Sequence, residues 1–319
     1  METYRPEELI EKFGSAPWIS PYQKIIATYD KPANLIEIHE FHARGRCIGG
    51  SAWEIYHYPR VSPLVVKAER EGARNIFQVK IGSCNLKLIP SIAAAGIESA
   101  EVNGDEIKLT YTGLGGGGVA ATICRGMAEG VKRVQVYERG GGGGSGKADL
   151  ILPLKHKIII GIDDTDKSEA GATWSLGNEL ALRMEEEGIA DYLRHSIIQL
   201  YTQNPHKTTN CVSIALTFAV EPRREEQLIE RFKQLLQENT LSKDTGMAVY
   251  NGVNPPNLKA YAIRAKTVLV EAEETKEVAE KTNVRLIEIT GERGLIGALA
   301  AIWYANTPDE SVKVLTKPE

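Results

Sequence analysis

The chain has 319 residues, 42% hydrophobic and 25% charged, with a formal net charge of −4. That length accommodates two domains with separate cores, and the mild acidity argues against nucleic acid as a partner, because sequence-independent binding needs a basic surface. No apolar run approaches the ~20 residues that span a bilayer and the N-terminus has no signal core, so a cytoplasmic protein without membrane contact is expected.

In the first half, Val, Ile and Tyr enrichment between glycine and proline bounds predicts strands at 25–29, 64–66, 76–81 and 107–111. A helix at 119–129 and a strand at 131–137 follow. The glycine run at 140–144 reads as a flexible connector. The domains are therefore set at 1–150, a mixed α/β unit of unknown role, and 151–319.

The second half is more regular. A short apolar strand at 157–162 precedes a helix at 173–187, where Leu176, Leu180, Ala181 and Met184 recur at helical spacing. Strands at 192–201 and 211–220 are joined by a polar loop. A helix at 222–239 buries Leu228, Ile229, Phe232, Leu235 and Leu236, with Pro222 suited to its first turn. A strand at 246–250 completes a β-α-β-β-α-β order, the ferredoxin-like split arrangement, so the fold class is α/β (α+β). Added strands at 267–271 and 284–289, a short helix between them and a final apolar helix at 295–304 extend it.

The strand Ile158-Ile159-Ile160 runs into Gly161-Ile162-Asp163-Asp164-Thr165-Asp166, which places three carboxylates within four residues. Such charges raise one another's pKa unless a cation lies between them. Mg²⁺ suits the task because it takes one or two carboxylates together with phosphate oxygens, so Asp163, Asp164 and Asp166 are the candidate metal ligands. The helix N-terminus near Thr173 offers N–H groups to an anion at the same edge. A β-α-β crossover makes the first two strands parallel, which brings the loop holding Asn204, His206, Lys207, Thr208, Thr209 and Asn210 beside the acidic turn. Lys207 is then a phosphate ligand and Thr208 and Asn210 its hydrogen-bonding neighbours. The competing reading is a solvated Asx turn capping the helix, with Lys207 a surface charge.

These residues carry a family resemblance. Gly161 to Asp166 with Gly171 and Thr173 resembles the opening of the kinase-like domain of archaeal tRNA agmatidine synthetase. Asn204-Pro205-His206-Lys207-Thr208 is similar to its Pro-x-Lys-Thr loop, and the segment 294–302 to its glycine–alanine helix. The resemblance implies a domain that binds ATP and Mg²⁺ and activates a cytidine carbonyl by phosphoryl transfer, with Gly161, Asp163, Asp164, Thr165, Asp166, Lys207, Thr208 and Asn210 as nucleotide-binding residues. Asp164, Lys207 and Thr173 would be catalytic, Thr173 falling near a threonine that is phosphorylated in that family. An arginine and a glycine of the family's loop are missing after Thr208, and no cysteine pair provides that family's zinc ribbon, which points away from an agmatidine synthetase. The mid-chain acidic turn followed by Gly171-Ala172-Thr173-Trp174 resembles methanogenesis marker protein 11.

Other features are less specific. Gly141, Gly146 and Lys147 approach a Walker A loop, but Ala148 stands where Ser or Thr should be, and 150–154 reads as extended. The glycines at 115–118 open a helix after a strand; a phosphate cradle and a tight structural turn are both compatible. His39, His42 and Cys47 fit no familiar metal spacing, and none of the four cysteines forms a CxxC pair. The leading expectation is an ATP- and Mg²⁺-dependent phosphoryl-transfer enzyme, kinase-like or ligase-like, linked by resemblance to methanogenesis and acting on an unidentified acceptor substrate or protein partner. An ATP-binding assembly or regulatory factor with little turnover ranks second, and a tRNA-modifying enzyme third.

Overall fold

The computed structural model describes residues 1–315 and divides into two compact units, Met1–Lys155 and His156–Glu319. The fold is mixed α/β with three antiparallel sheets. No helix among the described residues is long and apolar enough to cross a membrane.

The first unit runs β1 (Glu2–Tyr4), α1 (Pro6–Phe13), β2 (Lys24–Asp30), β3 (Leu35–Phe41), α2 (Ile48–Val61), β4 (Val65–Glu71), β5 (Arg74–Lys80), β6 (Gly82–Ser83), β7 (Ala95–Asn103), β8 (Glu106–Leu114), α3 (Gly115–Val119), β9 (Arg133–Gly141) and β10 (Gly144–Pro153). Its sheets have the orders β1-β9-β10-β8-β7-β6 and β2-β3-β5-β4. The glycine run at 140–144 is not a connector but the turn of the β9–β10 hairpin. Lys147 lies within β10 and donates to Glu98 at 2.6 Å, so the segment is no P-loop. The predicted helix at 119–129 begins instead at Gly115 and passes into a π turn at Ala120–Cys124. The glycines here are explained by packing. A Cβ on Gly118 would lie 2.8 Å from the Gly146 nitrogen and 3.0 Å from the Gly140 Cα, so three backbones meet where no side chain fits.

The core of this unit encloses a guanidinium. Arg125 is fully buried and donates to Glu40 through Nε and Nη2 at 2.9 Å, and to Glu54 at 2.9 Å. Asn75 donates to Glu54 at 2.8 Å and Tyr111 to Glu40 at 2.7 Å. Burial pushes the Glu54 carboxyl up, but Arg125 and His42 outweigh it and hold the pKa at about 2. His42 faces Glu54 at 3.6 Å and His39 faces Glu37 at 3.0 Å. Both imidazoles serve buried carboxylates, and among the described residues no metal-ligating group forms.

The second unit contains β11 (His156–Asp163), α4 (Thr173–Glu186), β12 (Asp191–Gln199), β13 (Val212–Val220), α5 (Glu225–Asn239), β14 (Gly246–Asn251), α6 (Lys259–Thr267), α7 (Ala272–Lys281), β15 (Arg285–Glu288), α8 (Gly294–Tyr304) and α9 (Pro308–Ser311). The sheet order is β12-β13-β11-β14-β15. Its first four strands have the ferredoxin-like pattern, and β15 adds an edge. The strand predicted at 267–271 is not one. Thr267 ends α6, and Val268-Leu269-Val270 is an apolar run with no ladder partner.

Strand β11 is central and buried on both faces, which explains its unbroken isoleucines. Side chains alternate across a strand. Ile158, Ile160 and Ile162 pack with Leu180 and Met184 of α4 and Leu228 and Phe232 of α5. Ile159 faces the other way, onto Ala298 and Ile302 of α8 and Ala262 of α6. Gly161 shares that second face, where a Cβ would come within 2.0 Å of the Ala298 carbonyl oxygen. Strands β11 and β12 are each antiparallel to β13 and hence parallel to each other, so Asp163 and Gln199 end at one edge of the sheet.

Candidate functional site

At that edge a cavity of about 760 Å³ opens. It is lined by Asp163, Asp164, Asp166 and Thr173 from the acidic turn and the start of α4, and by Lys207, Thr208 and Asn210 from the β12–β13 loop. The two loops touch: the Thr208 hydroxyl donates to Asp166 Oδ2 at 3.2 Å. Parallel strand ends, required by the crossover, thus bring together residues some forty positions apart.

Each acidic residue is held differently. Asp163 Oδ1 accepts the Asp164 amide at 2.8 Å, and its Oδ2 lies where Gly297 lacks a side chain, 1.9 Å from the position of a Cβ there. The first turn of α8 therefore rests on this carboxylate. Its surroundings raise the Asp163 pKa well above its ordinary value, by desolvation first and then by the charges of Asp164 and Asp166, against the hydrogen bond from the Asp164 amide and a weaker pull from Arg293. Asp164 takes a left-handed backbone conformation with φ +54°, fixed by Thr245 donating to its carbonyl at 2.6 Å. Asp164 Oδ2 accepts from Arg293 Nε at 3.1 Å, and the same guanidinium meets Asp244 at 2.8 Å. Burial raises the Asp164 pKa, and Arg293 opposes it.

Thr173 is buried at the first turn of α4. Its hydroxyl oxygen accepts the Thr165 hydroxyl at 3.0 Å, and its hydroxyl donates to Asp166 Oδ1 at 3.5 Å. The Lys207 ammonium donates to the Thr202 carbonyl at 2.5 Å. Gly161 and Thr165, expected as nucleotide ligands, do not line the cavity. Gly161 admits α8 onto the sheet, and Thr165 is 2% exposed with its carbonyl accepting the Leu241 amide at 2.9 Å.

Sequence reasoning missed four participants. Arg293 and Asp244 carry no local signature, since Arg293 reaches Asp164 across 129 positions. Trp174, half exposed, lines the cavity beside Thr173. Cys211 is the fourth; burial and the nearby Asp163 and Asp164 carboxylates push its thiol up to about 12.

Among the described residues no three His, Cys, Asp or Glu side chains converge as a metal cage. A Mg²⁺ that arrives with phosphates needs no such cage, because it takes one or two carboxylates and completes its shell with water and phosphate oxygens. Asp163, Asp164 and Asp166 are hard oxygen donors that line one cavity, so they would fit that cation.

Comparison with known proteins shows what the second unit resembles. The family described as the TiaS TCKD domain matches residues 159–291. TiaS of Pyrococcus horikoshii, a 2-agmatinylcytidine synthetase acting on an isoleucine tRNA, is 30% identical over 151 residues, 46% of this chain and 35% of that protein. The TiaS of Thermococcus sibiricus is 31% identical over 155 residues. The alignment spans about a third of those synthetases. The crystal structure of a complex of TiaS with its tRNA and ATP superposes with a TM-score of 0.43 at 25% identity, over 46% of this chain and 36% of that one.

The C-terminal half therefore resembles the tRNA agmatidine synthetases, as the three motifs implied. The whole chain belongs to the family of the uncharacterized protein MJ0921 of Methanocaldococcus jannaschii, which is 48% identical over 285 residues, 89% of this chain and 94% of that protein.

Two expectations are corrected by these relatives. The ranking that put a kinase-like or ligase-like enzyme linked to methanogenesis first, and a tRNA-modifying enzyme last, is overturned, since the named relatives of the second unit are tRNA-modifying synthetases. The expectation that nucleic acid is an unlikely partner is corrected with it, since those relatives are named for a tRNA. It rested on net charge and on the missing zinc ribbon, and a sum over the whole surface leaves a local basic patch open.

Proposed function

We propose that this chain is an ATP-dependent enzyme that modifies a nucleotide of tRNA, with its second unit holding ATP and Mg²⁺. The observation that carries this reading is the contact between Thr208 and Asp166, which joins the two motif loops over one cavity. That cavity lies largely within the stretch matched by the TiaS TCKD family.

The relatives' product name describes an amine joined to a cytidine at C2. That bond forms only if the C2 oxygen leaves, and ATP makes it a leaving group. The residues present suit such work. Asp163, Asp164 and Asp166 would hold Mg²⁺, which would neutralise phosphate charge. Lys207 and the N-termini of α4 and α8 provide positive potential at the same cavity. Thr173, from its buried position, orients Asp166. Membership of the methanogenesis marker protein 11 family is part of the same proposal, supported by the mid-chain acidic turn followed by Gly171 to Trp174.

The test is to incubate the chain with ATP, tRNA and candidate amines and to analyse digested nucleosides by mass spectrometry. A tRNA-stimulated ATP turnover that falls about 100-fold in Asp164→Asn, with a new modified nucleoside, is expected. ATP turnover indifferent to tRNA, with no mass change in any nucleoside, would count decisively against the reading.

A further inference from the structure

We propose that Arg293 is the phosphate-recognising arginine of this site, held by Asp164 and Asp244 until a divalent cation displaces it towards the nucleotide. The inference rests on the nucleotide reading above and adds a residue that neither motif contains.

The β12–β13 loop continues from Lys207-Thr208 into Thr209-Asn210, so it has no arginine. The Lys207 ammonium is engaged with the Thr202 carbonyl. Arg293 lines the same cavity, immediately before the first residue of α8, with its side chain 35% exposed. Its Nε donates to Asp164 Oδ2 at 3.1 Å and Nη2 reaches Asp244 Oδ2 at 2.8 Å. A guanidinium has five N–H donors arranged as a fork that matches phosphate oxygens. Two single-oxygen contacts leave that fork only partly used.

Asp164 is the link. One carboxylate cannot give its full charge to both a guanidinium and a divalent cation, and the two cations repel. A cation held at Asp164 would cost Arg293 its first anchor, and the phosphates accompanying that cation would offer the guanidinium a better one. Arg293 therefore competes with a lone cation and cooperates with a cation–nucleotide pair. Those opposite signs distinguish it from a residue that merely packs.

The experiment uses the full chain and two binding measurements. Free Mn²⁺ is titrated alone by electron paramagnetic resonance, and ATP is titrated in saturating Mg²⁺ by equilibrium dialysis. Arg293→Gln is expected to bind Mn²⁺ alone about tenfold more tightly and Mg-ATP about tenfold more weakly, the size of ordinary coupling between sites. Arg293→Lys, which keeps the charge but not the fork, should move both values the same way by less, and it decides the matter if the glutamine variant does not fold. Affinities that weaken together, or stay put, would overturn the proposal while leaving the nucleotide site intact. A wild-type chain that binds neither ligand would remove the nucleotide reading, and this proposal with it.

Discussion

Asp163 sits where its charge is disfavoured: desolvation and the charges of Asp164 and Asp166 push its pKa upward, and the Asp164 amide and Arg293 pull back. A carboxyl whose folded pKa is raised costs stability once it ionises. That cost is absent in acid, where folded and unfolded chains are both protonated, and it develops as pH rises from the ordinary carboxylate range through the raised value. Asp163→Asn keeps an acceptor for the Asp164 amide and removes the charge. It should stabilise the protein by about 1 kcal/mol at neutral pH, lose that advantage in acid, and bind Mg-ATP poorly. Denaturant unfolding at the two pH values measures this. A variant less stable than wild type at neutral pH would mean that Asp163 belongs to the scaffold rather than to a strained site.

At the scale of elements, the second unit depends on α8 lying directly on β11. Gly161 permits it, with no room for a methyl group against the Ala298 carbonyl. Gly161→Ala should force the helix away and cost about 2–3 kcal/mol, read as a lowered unfolding midpoint. An unchanged midpoint would show that the helix can shift freely. Much of this unit was legible from sequence, because β11, α4, α5 and β14 announce themselves through short-range periodicity and the crossover then fixes which strand ends meet. The meeting of the acidic turn with the Lys207 loop followed from that alone. What escaped has physical causes. Val268-Leu269-Val270 has a strand's composition but finds no partner, and the short α6 before it buries only Tyr261, Ala262, Ala265 and Lys266. The glycines at 140–144 give the same signal for a linker and for a hairpin turn. The Arg293–Asp164–Asp244 group is created by tertiary packing, so no local pattern encodes it.

At the scale of the whole molecule, a net charge of −4 is a sum over both units and leaves the charge of any one surface open. Phosphate contacts need only a local excess of cations, and the tRNA-modifying relatives of the second unit bear more weight than a sum over both units. The claim on which the rest depends is that the acidic turn and the β12–β13 loop grip one ligand. Equilibrium binding of Mg-ATP to the wild type, Asp164→Asn, Lys207→Ala and the double variant tests it most directly. Each single change should weaken binding about tenfold or more, and the double variant should lose less than the sum of the two, because residues serving one ligand are coupled. Wild-type affinity in both single variants would contradict the account.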